Sequence, residues 1–469
     1  MAKESPRVAL TAASFFALLL PLLYLAFFRS DTWSIDSWRQ QLTDRFSANT
    51  NNHDEDKGPQ AQDIKEENPL KLHLRRLVRG KNLMELETTG YSCESDIHSD
   101  VCVADQQVKI DMRSLTIYLS SKQIPPDAPL RVRPYPKKED ENNMRIVTPV
   151  EIKIPNSTFI PPACDVTHDV PAVIFATTYT GNIYHEFNEI AIPLFLTCRH
   201  FQSRIRFIVT DFNAWWVTRF DSLLSGLSSY GIINPADDGR VHCFPAAVVG
   251  LKYHDTLYCN TSRIPGGYST LDFKQFLRES FNLRVKHESE IPELNLVLIS
   301  RKRTRMFVNE EDLVRVAEGL GYHVTRASPE HMANLRKFSG VLNRCNVLVG
   351  AHGAGLTNMV FLPEGAVVVQ VVGWGLEWAS EAYYGGPSHK MGIYYLEYKI
   401  DPDETTLIDV YGRDHPVITD PWSIHRQGYN VSRAVYIDGQ NFRINVDKFR
   451  KTLEEALKLV GRSASPSPP

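Results

Sequence analysis

The sequence predicts an α/β protein built from two Rossmann-type units that face a cleft, and three observations predict it. Short apolar runs alternate with amphipathic ones from Val170 onward, a charged break interrupts them around Glu288, and a second series of the same kind follows. The composition agrees. The 469 residues carry 52 Lys+Arg against 55 Asp+Glu and are 43% hydrophobic, enough chain for about two to three domains. A net charge of −3 argues against a nucleic-acid binder driven by bulk positive charge. Seven cysteines are too few for a disulfide scaffold and too scattered for a zinc ribbon.

The first series reads as strand 171–177, helix 183–201, strand 204–210, helix 217–230 and strand 240–251. The second reads as strand 294–300, helix 310–321, strand 322–327, helix 331–345, strand 346–351, helix 354–362 and strand 366–372. Asn309, three residues before Asp312, reads as the N-cap of the second series' first helix. A closing helix over 445–460 packs across either unit.

Residues Val8 to Phe28 carry no charge, and 21 residues at about 1.5 Å each span roughly 31 Å, a hydrocarbon core. Lys3 and Arg7 precede the run and no small-residue cleavage site follows it, which reads as an uncleaved signal anchor with the N-terminus cytosolic. A cleaved signal peptide, the alternative, places the body in the same lumen. Sequons at Asn156, Asn260 and Asn430 fit that compartment. The expected organisation is therefore a cytosolic tail 1–7, an anchor 8–28, a disordered stem 29–85, an N-terminal unit 86–287, a C-terminal unit 288–460 and a tail 461–469. In an oxidising lumen, Cys93 with Cys102 and Cys243 with Cys259 are the expected local disulfides.

Three segments could carry chemistry. In Leu348–Leu362 a buried strand runs into His352, Gly353, Ala354 and Gly355, and a helix begins at once through Leu356, Thr357 and Asn358. Small residues let a backbone approach a ligand, and a helix N-terminus suits phosphate oxygens; glycines of this kind also serve a tight turn alone. The segment is neither the dinucleotide fingerprint nor a Walker loop. In Ile299–Asn309 a strand end delivers Ser300, Arg301, Lys302, Arg303 and Arg305 where open α/β sheets bind ligands, although charge runs commonly just face water. In Thr177–Glu189 a turn leads into a helix that places His185 and Glu189 on one face, with Asp211 before Trp215 and Trp216 as a further candidate base. A merely polar helix face is the other reading there. Asp401-Pro402-Asp403 falls after the sheet pattern, so no essential metal is expected. No Gly-x-Ser-x-Gly occurs, which disfavours an α/β-hydrolase.

With GNIYHEFNE, ISRKRTRMFVNE, VGAHGAGLTNMVFLPEGAVVVQVV, EYKIDPDETTL, YGRDHPV and VYIDGQN in order, the chain resembles glycosyltransferase family 61, in particular the plant Golgi members that add pentoses to xylan. The resemblance runs from about Cys93 to Val460. It implies a GT-B-like fold, a UDP-sugar donor, inversion at the anomeric carbon, no metal or other cofactor, and a single-pass type II Golgi protein acting on a polysaccharide rather than a nucleic acid. In that frame Glu189, His185 and Asp211 are the candidate bases. Ser300, Arg301, Arg305, the His352–Asn358 segment, Trp374, Glu377 and Trp378 would line the donor site. The motif wording leans toward β-1,2-xylosyl transfer from UDP-xylose, with α-1,3-arabinofuranosyl transfer from UDP-arabinofuranose as the alternative. A non-catalytic Golgi scaffold would have lost the phosphate-facing residues, and an NAD-linked oxidoreductase would need a fingerprint that is absent.

Overall fold

A run of buried β-branched residues is best satisfied in a parallel sheet covered on both faces, and the C-terminal half follows that rule. The computed structural model describes residues 69–120, 129–155, 159–262 and 265–462. The signal anchor 8–28, the stem up to residue 68, Asn156 and the tail from 463 lie outside them. Among the described residues no helix is long and apolar enough to cross a membrane.

In chain order the strands are β1 Tyr91–Ser95, β2 Asp100–Ala104, β3 Val108–Asp111, β4 Thr116–Leu119, β5 Leu130–Val132, β6 Val150–Lys153, β7 Val166–Thr167 and β8 Ala172–Ala176. They continue as β9 Arg206–Thr210, β10 Val241–Phe244, β11 Ala247–Val249, β12 Asn295–Ile299, β13 His323–Ala327, β14 Val347–Ala351, β15 Val367–Val372 and β16 Tyr394–Lys399. The C-terminal sheet is wholly parallel in the order β13-β12-β14-β15-β16. Counted from its first strand this is 2-1-3-4-5, a doubly wound order with its switch point between β12 and β14. The N-terminal sheet, β1-β2-β11-β8-β9, has a parallel trio β11-β8-β9 edged by an antiparallel hairpin.

A third sheet, β5-β6-β4-β3-β10-β7, is not anticipated by the α/β pattern. It claims half of the strand expected over 240–251. Pro245 has no N–H to give a ladder, so the run breaks there: β10 joins this sheet and β11 joins its neighbour.

Order also begins earlier than the expected stem boundary at residue 85. Helices Pro69–Arg75 and Gly80–Thr89 bury Leu74 and Leu86, and the turn between them Leu77, fully in the largest core cluster. That cluster joins Phe175, Phe187 and Trp216 to Ile299, Leu348 and Phe361, so the two series share one apolar interior. The other face of the C-terminal sheet buries Leu298, Val349 and Val369 against Phe449, Leu453 and Leu457 of helix Val446–Leu459, the closing helix.

Several expected helices take other forms. The 183–201 helix contains a π-turn over Glu186–Ala191, in which Ile192 N–H reaches back five residues to Phe187 C=O. Pro193, lacking an N–H, follows directly. The 354–362 helix is the tighter 3₁₀ form over Ala354–Phe361. Asn309 does not cap Glu310–Gly319 with its side chain; its amide donates to Ile444 C=O at 2.9 Å and accepts from Ile444 N–H at 3.0 Å.

The expected Cys93–Cys102 disulfide is present, its residues directly opposed in the β1–β2 ladder. The expected Cys243–Cys259 pair is not. Cys243 bonds Cys164, because β7 runs parallel beside β10 and brings position 164 alongside, while Cys259 is a buried free thiol.

Candidate active site

The carboxyl ends of β12 and β14 are neighbours, so the basic loop and the glycine loop meet at the switch point. Arg305 Nη1 donates to His352 C=O at 2.6 Å, and Arg301 Nε donates to Thr304 C=O at 2.7 Å. Both side chains are largely withdrawn from solvent, and among the described residues neither forms an ion pair with a carboxylate. Burial lowers both; Arg305, with Arg301 beside it, is brought down to about 10. Two guanidinium groups at a strand end, neither in an ion pair and only Arg305 feeling the more distant pull of Asp438, form a place that can receive an anion. Lys302 and Arg303, by contrast, are exposed, and Lys302 pairs with Glu330. Ser300 is tied by its hydroxyl to Glu310.

The three glycines have separate reasons. A Cβ on Gly350 or Gly355 would press on Ile299 of β12 at 3.1 and 3.2 Å, which is packing. A Cβ on Gly353, at φ +146°, would stand 2.8 Å from Arg305 Nη1 and 3.1 Å from Arg301 Nη1, so that glycine makes room for the two cations. Tyr384 hydroxyl donates to Gly353 C=O at 2.8 Å. Leu356, Thr357 and Asn358 are buried; Asn358 Nδ2 donates to Gly355 C=O and fastens the turn. Ala354 packs against the main core.

His352 sits behind the cations. Gln370 Nε2 donates to its Nδ1 at 2.8 Å, which leaves the His352 proton on Nε2, and the Tyr395 hydroxyl, whose one proton is shared with Glu397, lies 3.1 Å from Gln370 Oε1. Burial, with Arg305 and Arg301 adding, holds this imidazole down at about 3, so it is neutral. Gln370 was missed in sequence although it is the only polar residue of β15, a signal that was available. Segment 435–441, read only as motif wording, is the prop for this loop. Arg305 N–H donates to Gln440 C=O at 2.7 Å and Met306 N–H to Asn441 Oδ1 at 2.9 Å. Gln440 Nε2 also reaches Trp374 C=O at 3.0 Å, so Trp374 is anchored to the same prop, while Glu377 and Trp378 are exposed.

In the N-terminal half, Glu189 is wholly buried on the π-turn. Tyr135 hydroxyl donates to its Oε2 at 2.5 Å, Lys137 to Oε1 at 3.0 Å and His185 Nδ1 to Oε1 at 2.7 Å. Burial alone would raise this carboxyl, but His185, Lys137 and Tyr135 outweigh it and hold it below the usual range. Glu189 is thus a saturated anion, and His185, partly exposed, turns its Nε2 away from it. Tyr135 and Lys137 have no local sequence signal. Glu186 pairs with Arg219 at 2.7 Å and accepts from Gly181 N–H at 2.8 Å. Asp211, at φ +52°, accepts from Thr148 N–H at 2.9 Å and from the Thr148 hydroxyl, a structural use of both oxygens.

The two sides meet through rings. Helix Ile183–His185 packs on the Ala354–Phe361 turn, and Tyr383 lies 5.5 Å from Tyr184 and 6.2 Å from His352 between ring centroids. Asp401 and Asp403 are elsewhere: Asp401 stands at the N-cap of the 3₁₀ turn Pro402–Glu404, which contains Asp403, and the two pair with Lys448 and Arg413 respectively. Among the described residues no three His, Cys, Asp or Glu side chains gather as a metal-ligand group.

The glycosyltransferase 61 family model matches residues 171–369, from the start of β8 into β15. An alpha-1,3-arabinosyltransferase of Oryza sativa subsp. japonica is 36% identical over 371 residues, covering 77% of this chain and 64% of that protein. A beta-1,2-xylosyltransferase of the same species is 35% identical over 389 residues, covering 78% of this chain and 83% of that one. A xylan glycosyltransferase of Arabidopsis thaliana is 31% identical over 392 residues, covering 79% and 78%. The chain therefore spans less than two thirds of the rice arabinosyltransferase, 64% of its length, and more of the other two.

Proposed function

The chain belongs to glycosyltransferase family 61, and from that premise we propose that it transfers a pentose from a UDP-pentose onto xylan with inversion. The observation that carries the reading is the pair of carboxylate-free guanidinium groups, Arg301 and Arg305, packed over Gly353 at the switch point. A diphosphate is the ligand that such a pair fits.

In the reaction the acceptor hydroxyl oxygen attacks the anomeric carbon, its proton passes to His185 Nε2, and the bond to the UDP oxygen breaks on the opposite face. Glu189 is the positioning carboxylate: its bond to Nδ1 orients the ring and stabilises the imidazolium that forms. Charge growing on the departing diphosphate falls to Arg301 and Arg305, preorganised before reaction, and a cationic pair in that place supports transfer without an essential metal. The fold reads as GT-B-like, with the C-terminal sheet on the donor side and the N-terminal sheet on the acceptor side. The apolar run Val8–Phe28 supports a single-pass type II protein with this body in the Golgi lumen.

UDP-xylose is the favoured donor on motif wording. UDP-arabinofuranose is the second reading, supported by the 36% identity to a rice arabinosyltransferase. The test offers the purified full chain xylohexaose with UDP-xylose, UDP-arabinofuranose or UDP-GlcNAc, each with EDTA, and identifies products by mass and linkage. Pentosyl-xylohexaose from either UDP-pentose in EDTA is expected; a folded protein active on none of the donors overturns the reading.

A further inference from the structure

We propose that the cavity between helix Ala214–Arg219 and the helices Pro329–Ala333 and Leu335–Leu342 is an acceptor-chain subsite, which grips sugar units neighbouring the one that is glycosylated. The inference rests on the glycosyl-transfer reading above and extends it to a place and to named residues.

The cavity holds about 450 Å³, within the roughly 300–1,000 Å³ of small-molecule sites. Its position is set by the sheets. Asn213, three residues past the carboxyl end of β9, caps the first helix by accepting from Trp216 N–H, and Ser328, next after β13, caps the second. Both walls therefore rise from strand ends on the side where ligands bind. One wall is tied to the His185 loop: Asn213 Nδ2 donates to Thr180 at 2.8 Å, and Arg219 pairs with Glu186, the neighbour of His185. The other is tied to the glycine loop, since Met332 Sδ lies 3.9 Å from Asn358 Nδ2. Arg219 bridges the walls by donating to Met332 C=O at 3.4 Å.

The lining suits a carbohydrate. Trp216 is fully buried in the core, but its neighbour Trp215 is 49% exposed at the cavity. The Arg219 guanidinium lies 5.0 Å from the Trp215 ring centroid and holds the indole still. A rigid indole offers an apolar face to the C–H face of a sugar ring, while Arg336, Asn334 and Thr218 along the rim can hydrogen-bond its hydroxyls. No carboxylate lines the cavity, which fits a neutral polyhydroxylated chain and not a cation.

The test measures xylohexaose binding to the full chain by calorimetry without donor, together with transfer kinetics, for the wild type, Trp215→Ala, Trp215→Phe and Arg336→Ala. Trp215→Ala should weaken binding and raise the acceptor KM about tenfold, Arg336→Ala less, and Trp215→Phe should restore most of it. The KM for donor and acceptor-independent UDP release should not move. Wild-type binding and turnover matched by folded Trp215→Ala and Arg336→Ala overturn the subsite and leave the activity standing. Binding lost in Trp215→Ala but with no transfer from any donor by the wild type upholds a sugar site and overturns the activity; absence of both in the wild type overturns the two together.

Discussion

His185 Nδ1 lies 2.7 Å from Glu189 Oε1, and the carboxylate of that pair is the member sealed from solvent. The geometry divides the labour between two residues that sequence alone ranks together as bases. Glu189 has no accessible lone pair to offer an acceptor hydroxyl, whereas His185 has Nε2.

His185→Ala should lower kcat by about 10²–10⁴-fold with donor KM little changed, the range for loss of a general base. Glu189→Gln should leave donor binding intact and cut kcat less, because the amide oxygen can still accept from Nδ1 and orient the ring. An unchanged kcat in both Glu189→Gln and Glu189→Ala would remove the positioning role.

Arg301→Ala and Arg305→Ala should each cost at least about 10²-fold in kcat/KM for the donor. Neither guanidinium has a carboxylate to leave unpaired, so removing one relieves a buried charge, and the melting temperature should hold or rise. A large fall in melting temperature at equal activity would mean that the arginines serve the fold and not a diphosphate.

Gly353→Ala should destabilise by about 1–3 kcal/mol and lose activity, since its φ of +146° is strained for a side chain and the new Cβ would displace Arg305. Gly355→Ala is the control: its Cβ meets only Ile299, so denaturant titration should find a smaller loss and activity largely kept.

The parallel C-terminal sheet was legible because strands covered on both faces are continuous apolar runs, as Val347–Ala351 and Val367–Val372 are. The β1–β7 region was not, since its strands are two to five residues long and share no one burial pattern, from the wholly buried β4 to the largely exposed β5. The break at Pro245 was written in the sequence but needed two sheets to give it meaning. Arg301, Arg305, His352 and Gly353 were legible as loops, but their convergence depended on β12 lying beside β14. Tyr135, Lys137 and Gln440 act over separations of 52 to 135 residues, where no local pattern operates.

The revised disulfide pairing predicts an order of stabilities. Cys164–Cys243 closes a separation of 79 residues and Cys93–Cys102 one of nine. On the chain-entropy account, removing the first by Cys164→Ser with Cys243→Ser should cost about 4.5 kcal/mol, and the second about 2.5 kcal/mol. Urea titrations of the two double variants check this, and equal costs would discard loop closure as the main term.

Two buried histidines should make the protein acid-sensitive. Burial holds His200 and His352 at about 3; His200 donates from Nε2 to His73 C=O, and His352 accepts the Gln370 amide, so both are neutral in the fold. In the unfolded chain each protonates near 6.5. The unfolded state therefore binds more protons between those values, and stability, complete above about pH 6.5, falls as pH drops toward 3. From pH 7 to 5.5 each should remove about 1 kcal/mol. His200→Gln can keep the donation to His73 without titrating, so its loss over that interval should be smaller than the wild type's by about that amount. Parallel urea midpoints for the two proteins would show that His200 is charged in the native state.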